Sequence, residues 1–205
     1  LNKSRYWFWG LGAAILISLF FSVFAYSYIL KPQGTFGWDE SHHASFGIMA
    51  AHSLRIGNWD SFWQITHHQI LAWPFLHSWT VAGSILLFGP TFVAARTASL
   101  FFFFLSIPLV YLIGSEIKGT GPILTGLIAS FFTAASPLIL YYSTVANIEA
   151  LGLFLTLMTA YFYLRARKTN KLSYFLLTGA FAALLFFSKY QYGLFALMVI
   201  LIDSF

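Results

Sequence analysis

Long apolar runs separated by short polar breaks set the rhythm of this chain, and one interval of mixed polarity interrupts it. Apolar runs at 6–30, 92–115, 122–142, 148–164 and 172–188 are each about the length, roughly 20 residues, that a helix needs to cross a bilayer. A further run begins at Tyr192. The first is too long for the apolar core of a signal peptide and lacks a small-residue cleavage site, so a membrane-spanning helix is expected there. Positions 31–91 form the mixed interval. Within it Phe46, Met49, Ala50 and Leu54 recur at three- and four-residue spacing, which predicts a surface helix from Asp39 to Arg55 with Asp39 as its N-cap. Gly57-Asn58-Trp59-Asp60 reads as its stop and turn, and Trp38, Trp59 and Trp63 as anchors at headgroup level. A run at 72–88 contains His77, Ser78, Gly83 and Ser84 and is borderline for a span.

Charge decides that borderline case. Lys3 and Arg5 precede the first run, and Arg165, Arg167, Lys168 and Lys171 follow the run at 148–164. Basic residues flanking spans collect on the cytoplasmic side, so an even number of crossings must separate the two groups. The runs at 6–30, 92–115, 122–142 and 148–164 give that even number, and a crossing at 72–88 would break it. Positions 72–88 are therefore expected to lie along the membrane or to re-enter it. Positions 31–91, the turn at 143–147 and Lys189 then face the exterior, with Arg96 one helical turn inside.

Composition agrees. The chain of 205 residues is 59% hydrophobic and 8% charged, its mean hydropathy is +0.77, and a soluble domain carries about 25% charged residues. Cysteine is absent, which excludes disulfides and thiolate chemistry. The net charge of +5 comes from basic residues at the ends of apolar runs and gives no case for nucleic acid. The expected fold is all-α: one polytopic transmembrane bundle over 1–205, with a first span at 6–30, an outer loop bearing surface helices at 31–91 and further spans over 92–205. The chain begins with Leu and stops inside another apolar run, so a fragment of a longer polypeptide is expected.

Six acidic residues serve the whole chain, and two of them are adjacent at Asp39-Glu40, where the first span has just emerged. Ionisable groups in such a chain are costly and their placement carries function. Asp39, Glu40, Glu149, Arg96 and Lys189 all fall near one membrane face, an arrangement suited to an anionic, membrane-borne substrate. Each also has a plainer reading. The acids favour helix N-termini, Lys189 can extend to the interface, and Arg96 can meet a lipid headgroup. All six histidines lie between Asp39 and His77. His42 and His43 stand three and four residues after Asp39, one helical turn away. A metal site of Asp39, His43 and a histidine from the later loop, His67 or His68, is conceivable, although no tight ligand motif supports it. The plainer reading makes the histidines interfacial polar groups or donors to a phosphate.

The order of the motifs adds a resemblance. Asp39-Glu40 is followed by a surface helix ending at Gly57-Asn58-Trp59, then Trp73-Pro74-Phe75-Leu76, Leu87-Phe88-Gly89, Ala94-Ala95-Arg96, Ser136-Pro137 with Glu149, and Ser188-Lys189-Tyr190. In this order the chain resembles the N-terminal half of the GT-C membrane glycosyltransferases, in particular the group of protein O-mannosyltransferases and the lipid A aminoarabinose transferase. It departs from them in a single Pro74 for a proline pair, Glu149 where Asp is common, and Tyr190 for a glycine.

The resemblance implies transfer of a sugar, with inversion, from a polyprenyl-phosphate donor to an extracytoplasmic lipid, glycan or protein acceptor, at the outer face of a plasma (inner) membrane. It makes Asp39 the catalytic base. Arg96 and Lys189 become cations for the leaving phosphate, Glu149 a group orienting the acceptor, a cation or Lys189, and Glu40 and His43 supporting residues. Use of a divalent metal is left open. A transporter or lipid flippase and a non-catalytic membrane scaffold are the alternative readings, and no inverted repeat favours the first of these.

Overall fold

The computed structural model describes residues 3–30, 34–70, 73–116 and 121–204, with side chains from residue 7 to residue 203. The side chains of Lys3 and Arg5 and position 72, all used in the topology reading, lie outside the described residues. Ten α-helices follow one another: α1 (Lys3–Phe24, continued as a π-helix over Ala25–Leu30), α2 (Trp38–Arg55), α3 (Trp59–Ile70), α4 (Leu76–Phe88), α5 (Phe92–Gly114), α6 (Pro122–Ala135), α7 (Pro137–Ser143), α8 (Ile148–Thr169), α9 (Leu172–Ser188) and α10 (Tyr190–Ser204). The expected all-helical, polytopic bundle is the observed fold. Among the described residues three helices, Trp7–Leu30, Phe92–Gly114 and Ile148–Thr169, are long and apolar enough to cross a membrane, or four if the bent pair Pro122–Ala135 and Pro137–Ser143 is one span.

The fourth expected span, 122–142, is broken. Ser136 is extended (ψ 121°) and Pro137 opens α7 without an N–H to give, so α6 and α7 meet at 64°. By contrast Pro108 stays inside α5.

Contacts between helix ends define two faces. At one face the Tyr111 hydroxyl donates to the Trp7 carbonyl (3.0 Å), and Arg165 and Lys168 pair with Glu116 (3.0 and 2.6 Å). Arg167 and Tyr163 there bind Asp203 of α10 at 3.2 and 2.5 Å. The start of α1 thus shares an end with the basic cluster, as the charge-parity argument requires. At the opposite end lie the start of α2, the start of α5 and the α9–α10 turn. Helix α4 begins against that turn, with Phe75 5.4 Å from Phe187, and ends three residues before the N-cap of α5, Thr91. Both its ends lie at the same level, and its 13 residues span only about 20 Å. At 13 residues it is shorter than the three span-length helices.

The surface helix begins one residue earlier than expected. Gly37 is the N-cap, and Asp39 is the second helical residue. Its inward face also differs from the predicted stripe. Ala44, Gly47, Ala50 and Ala51 are buried, whereas Met49 is half exposed. A Cβ on Gly47 would stand 2.5 Å from the Val81 side chain, so small residues set the close α2–α4 approach. His67 and His68, expected in a loop, lie in the last turn of α3.

Candidate active site

Because adjacent helical residues point about 100° apart, Asp39 and Glu40 meet different surroundings. Asp39 is exposed, whereas Glu40 is 5% exposed and packs inward. The Glu40 carboxylate accepts from Arg96 Nε (2.6 Å) and Nη2 (2.9 Å), from the Gly37 N–H (3.1 Å) and from the Ala146 N–H (2.8 Å). Arg96, fully buried, also donates from Nη2 to the Thr35 carbonyl (2.5 Å) and lies 5.3 Å from the centre of the Phe36 ring. One carboxylate and one guanidinium thus tie together the segment before α2, helix α5 and the loop before α8. In this geometry Arg96 gives donors to Glu40 and to the Thr35 carbonyl, charge-assisted bonds that hold it in place.

Asp39 lines an open pocket of about 630 Å³ with Thr35, Trp38, Tyr141, Tyr142 and Asn147 among its walls. Asn147 caps α8 through its side-chain oxygen (2.9 Å from Ile148 N), and Ser99 Oγ reaches its carbonyl at 3.4 Å. The bend at Pro137 turns α7 so that Tyr141 and Tyr142 close the far wall. Neither tyrosine carries a motif. The break at Ser136-Pro137 was the available signal, and a continuous span hides it.

Glu149 and Lys189 form a second pair, 3.2 Å apart and each about one-quarter exposed. Lys189 Nζ also lies 3.5 Å from Tyr192 Oη and 4.7 Å from the centre of its ring. Burial opposes the ammonium charge, yet Glu149 and Tyr192 outweigh it and raise the lysine above its usual pKa. Glu149 Oε2 is buried with no hydrogen-bond partner. Glu149 lines a smaller, mostly apolar pocket of about 230 Å³, which shares Tyr142 with the Asp39 pocket. Of the five charged groups expected near one face, four form two ion pairs at one end of the bundle, Glu40–Arg96 and Glu149–Lys189, and Asp39 stands apart in the open pocket.

His43 is buried behind Asp39 against His77 and Trp73, with ring centres 5.2 and 5.8 Å away. Burial first, then the neighbouring His42, lowers its pKa to about 4, with Asp39 opposing the shift and Lys189 adding to it. His77, wholly buried, is held well below the usual histidine value by burial and by His43. Both are neutral imidazoles at ordinary pH, which removes them as cationic phosphate ligands. Among the described residues no three His, Cys, Asp or Glu side chains converge as a metal-holding group.

No curated protein and no solved structure gives a significant match to the chain. A family model does match, that of dolichyl-phosphate-mannose-protein mannosyltransferases, over residues 72–204. Arg96, Glu149 and Lys189 fall inside the matched region, while Asp39, Glu40 and His43 precede it. With about two-thirds of its length covered by that model and an all-helical bundle bearing several apolar, span-length helices, the chain is an integral membrane protein that belongs to the dolichyl-phosphate-mannose-protein mannosyltransferase family.

Proposed function

We propose that the chain transfers a sugar from a polyprenyl-phosphate donor to an extracytoplasmic hydroxyl acceptor by a single inverting displacement, with Asp39 as the base. Membership of the family makes it a membrane glycosyltransferase using a polyprenyl-phosphate sugar. The choice of base rests on one observation. Both adjacent acids line an open pocket large enough for a sugar ring and an acceptor, but Glu40 is buried and consumed by Arg96 and two backbone N–H groups, whereas Asp39 is exposed. As the acceptor oxygen attacks C1, Asp39 takes its proton, the bond from C1 to the phosphate oxygen breaks, and the electron pair leaves with the lipid phosphate. Charge concentrates on that phosphate, and a cation aimed at it lowers the barrier. Lys189 supplies the cation. Its ammonium has three donors, and the neighbouring Glu149 fixes its position. The unpartnered Glu149 Oε2 suits a sugar or acceptor hydroxyl as donor. Arg96 and Glu40 hold the pocket in shape.

The protein reconstituted in lipid nanodiscs with polyprenyl-phosphate mannose tests this reading. Asp39→Asn should lower the transfer rate by about 10²–10⁴-fold while donor binding is retained. Transfer by Asp39→Asn at the wild-type rate would reject Asp39 as the base.

A further inference from the structure

Lys189 is the single residue between α9 and α10, and its backbone is extended (φ −157°, ψ 117°). Its N–H donates to the Leu185 carbonyl (3.0 Å), and its own carbonyl accepts from the N–H groups of Tyr192 and Gly193 (3.0 and 3.3 Å). The turn is thus tied into both helices, and α3 and α4 touch it on either flank. Before Lys189, the Phe187 ring lies 5.4 Å from that of Phe75 at the start of α4. After it, Tyr190 packs on Phe186 at 5.0 Å, and its hydroxyl donates to the Ile70 carbonyl (3.2 Å). Ile70 is the last residue of α3, and carbonyls in the final turn of a helix have no partner within that helix. The Gln69 carbonyl accepts from the Trp73 N–H (2.8 Å), whereas that of Ile70 is met from 120 positions away by Tyr190.

These contacts close a circuit. Asp39 stands on α2 beside Glu40, which accepts from the Ala146 N–H just ahead of α8. Helix α8 carries Glu149, and Glu149 holds the Lys189 ammonium. From Lys189 the circuit returns through Tyr190 and Phe187 to α3 and α4. Helix α4 then rests on α2, with Val81 against Gly47 and Ser78 Oγ donating to the His43 carbonyl (3.4 Å). Building on the assignment of Lys189 as the cation for the leaving phosphate, we infer that Tyr190 is a positioning residue for it. Its phenol anchors the α9–α10 turn to the end of α3 and so sets where the ammonium stands relative to Asp39. An inverting displacement places the base and the leaving group on opposite sides of C1, so the separation of Asp39 and Lys189 must match the reacting sugar. Glu149 restrains the head of a flexible four-carbon stem, and Tyr190 restrains the backbone from which that stem grows. The bond from Glu40 to Ala146 is buried, whereas that from Tyr190 is exposed, which makes Tyr190 the softer link of the circuit.

Sugar transfer by the protein in nanodiscs, with polyprenyl-phosphate mannose as donor, tests this through a double-mutant cycle. Tyr190→Phe keeps the ring on Phe186 and removes only the donor. It should lower kcat by about three- to tenfold with a smaller change in donor KM. In a Lys189→Gln background the same substitution should have no further effect, because no cation is left to misplace. Phe187→Ala, which releases the other flank of the turn, should show the same non-additivity, so the test does not depend on one variant folding. Wild-type kcat in Tyr190→Phe, or a loss that multiplies with that of Lys189→Gln, would overturn the positioning role. Amide hydrogen exchange reads the anchor without turnover. Residues 186–193 should exchange faster in Tyr190→Phe than in wild type, and unchanged exchange there would show that the phenol does not hold the turn. If Lys189→Gln transfers sugar at the wild-type rate while Tyr190→Phe still quickens exchange, Lys189 is not the cation, and the anchoring of the turn stands by itself.

Discussion

Asp39 and Glu40 are neighbours with opposite fates, and the difference predicts opposite phenotypes. Removing one partner of a buried, hydrogen-bonded ion pair strands the other charge, at a cost of about 3–5 kcal/mol. Glu40→Gln and Arg96→Leu should each lower the unfolding temperature in detergent sharply, whereas Asp39→Asn, at an exposed position, should change stability by no more than about 0.5 kcal/mol. Equal stability of Glu40→Gln and wild type would contradict the buried pair. His43 gives a pH prediction. Its folded pKa of about 4 lies below the ordinary 6.5, so between those values the unfolded chain binds more protons than the native one. Stability contributed by keeping His43 neutral is intact above pH 6.5 and is lost as pH falls toward 4. His77 acts in the same direction. His43→Gln should therefore flatten the acid side of the stability profile, read as thermal midpoint against pH. A wild-type slope retained in the variant would show that His43 does not titrate as described.

At the scale of elements, small residues and one proline decide where the pocket forms. Gly47 lets α2 lie directly on α4, and a larger side chain there must displace Val81. Gly47→Val should cost about 1–3 kcal/mol through overpacking and loosen the start of α2, raising protease sensitivity between α1 and α2. Unchanged proteolysis would mean that α2 docks by other contacts. The break at Pro137 has a different consequence, since it turns Tyr141 and Tyr142 toward Asp39 in place of extending the span. Helical periodicity and the stop at Gly57 located α2 to within a residue, although its N-cap is Gly37 and not Asp39. It misjudged the inward face of that helix. The neighbour of α2 is another helix at close range, not lipid, and close range selects Ala and Gly over Met and Phe.

For the whole molecule, the contacts at the two ends order the helices so that the acidic site and the basic cluster lie on opposite faces. A chain with no cysteine of its own makes this directly measurable. Single cysteines at Thr35 and Asp60 should react with an impermeant maleimide added from one side of sealed vesicles, and one at Lys168 only from the other. Labelling of positions 35 and 168 from the same side would undo both the topology and the proposed site.

Hydropathy determined, without coordinates, that the chain is a helical membrane bundle. That follows from the cost of exposing polar groups to lipid, which every residue registers locally. The order of short motifs likewise brought Asp39, Glu149 and Lys189 to notice. Which charge meets which is a tertiary matter. Arg96 is separated from Glu40 by 56 positions, and Ala146 from it by 106. No local pattern encodes which carboxylate will meet a buried guanidinium. The different surroundings of Asp39 and Glu40 arise only when distant helices pack and compete for the same few donors.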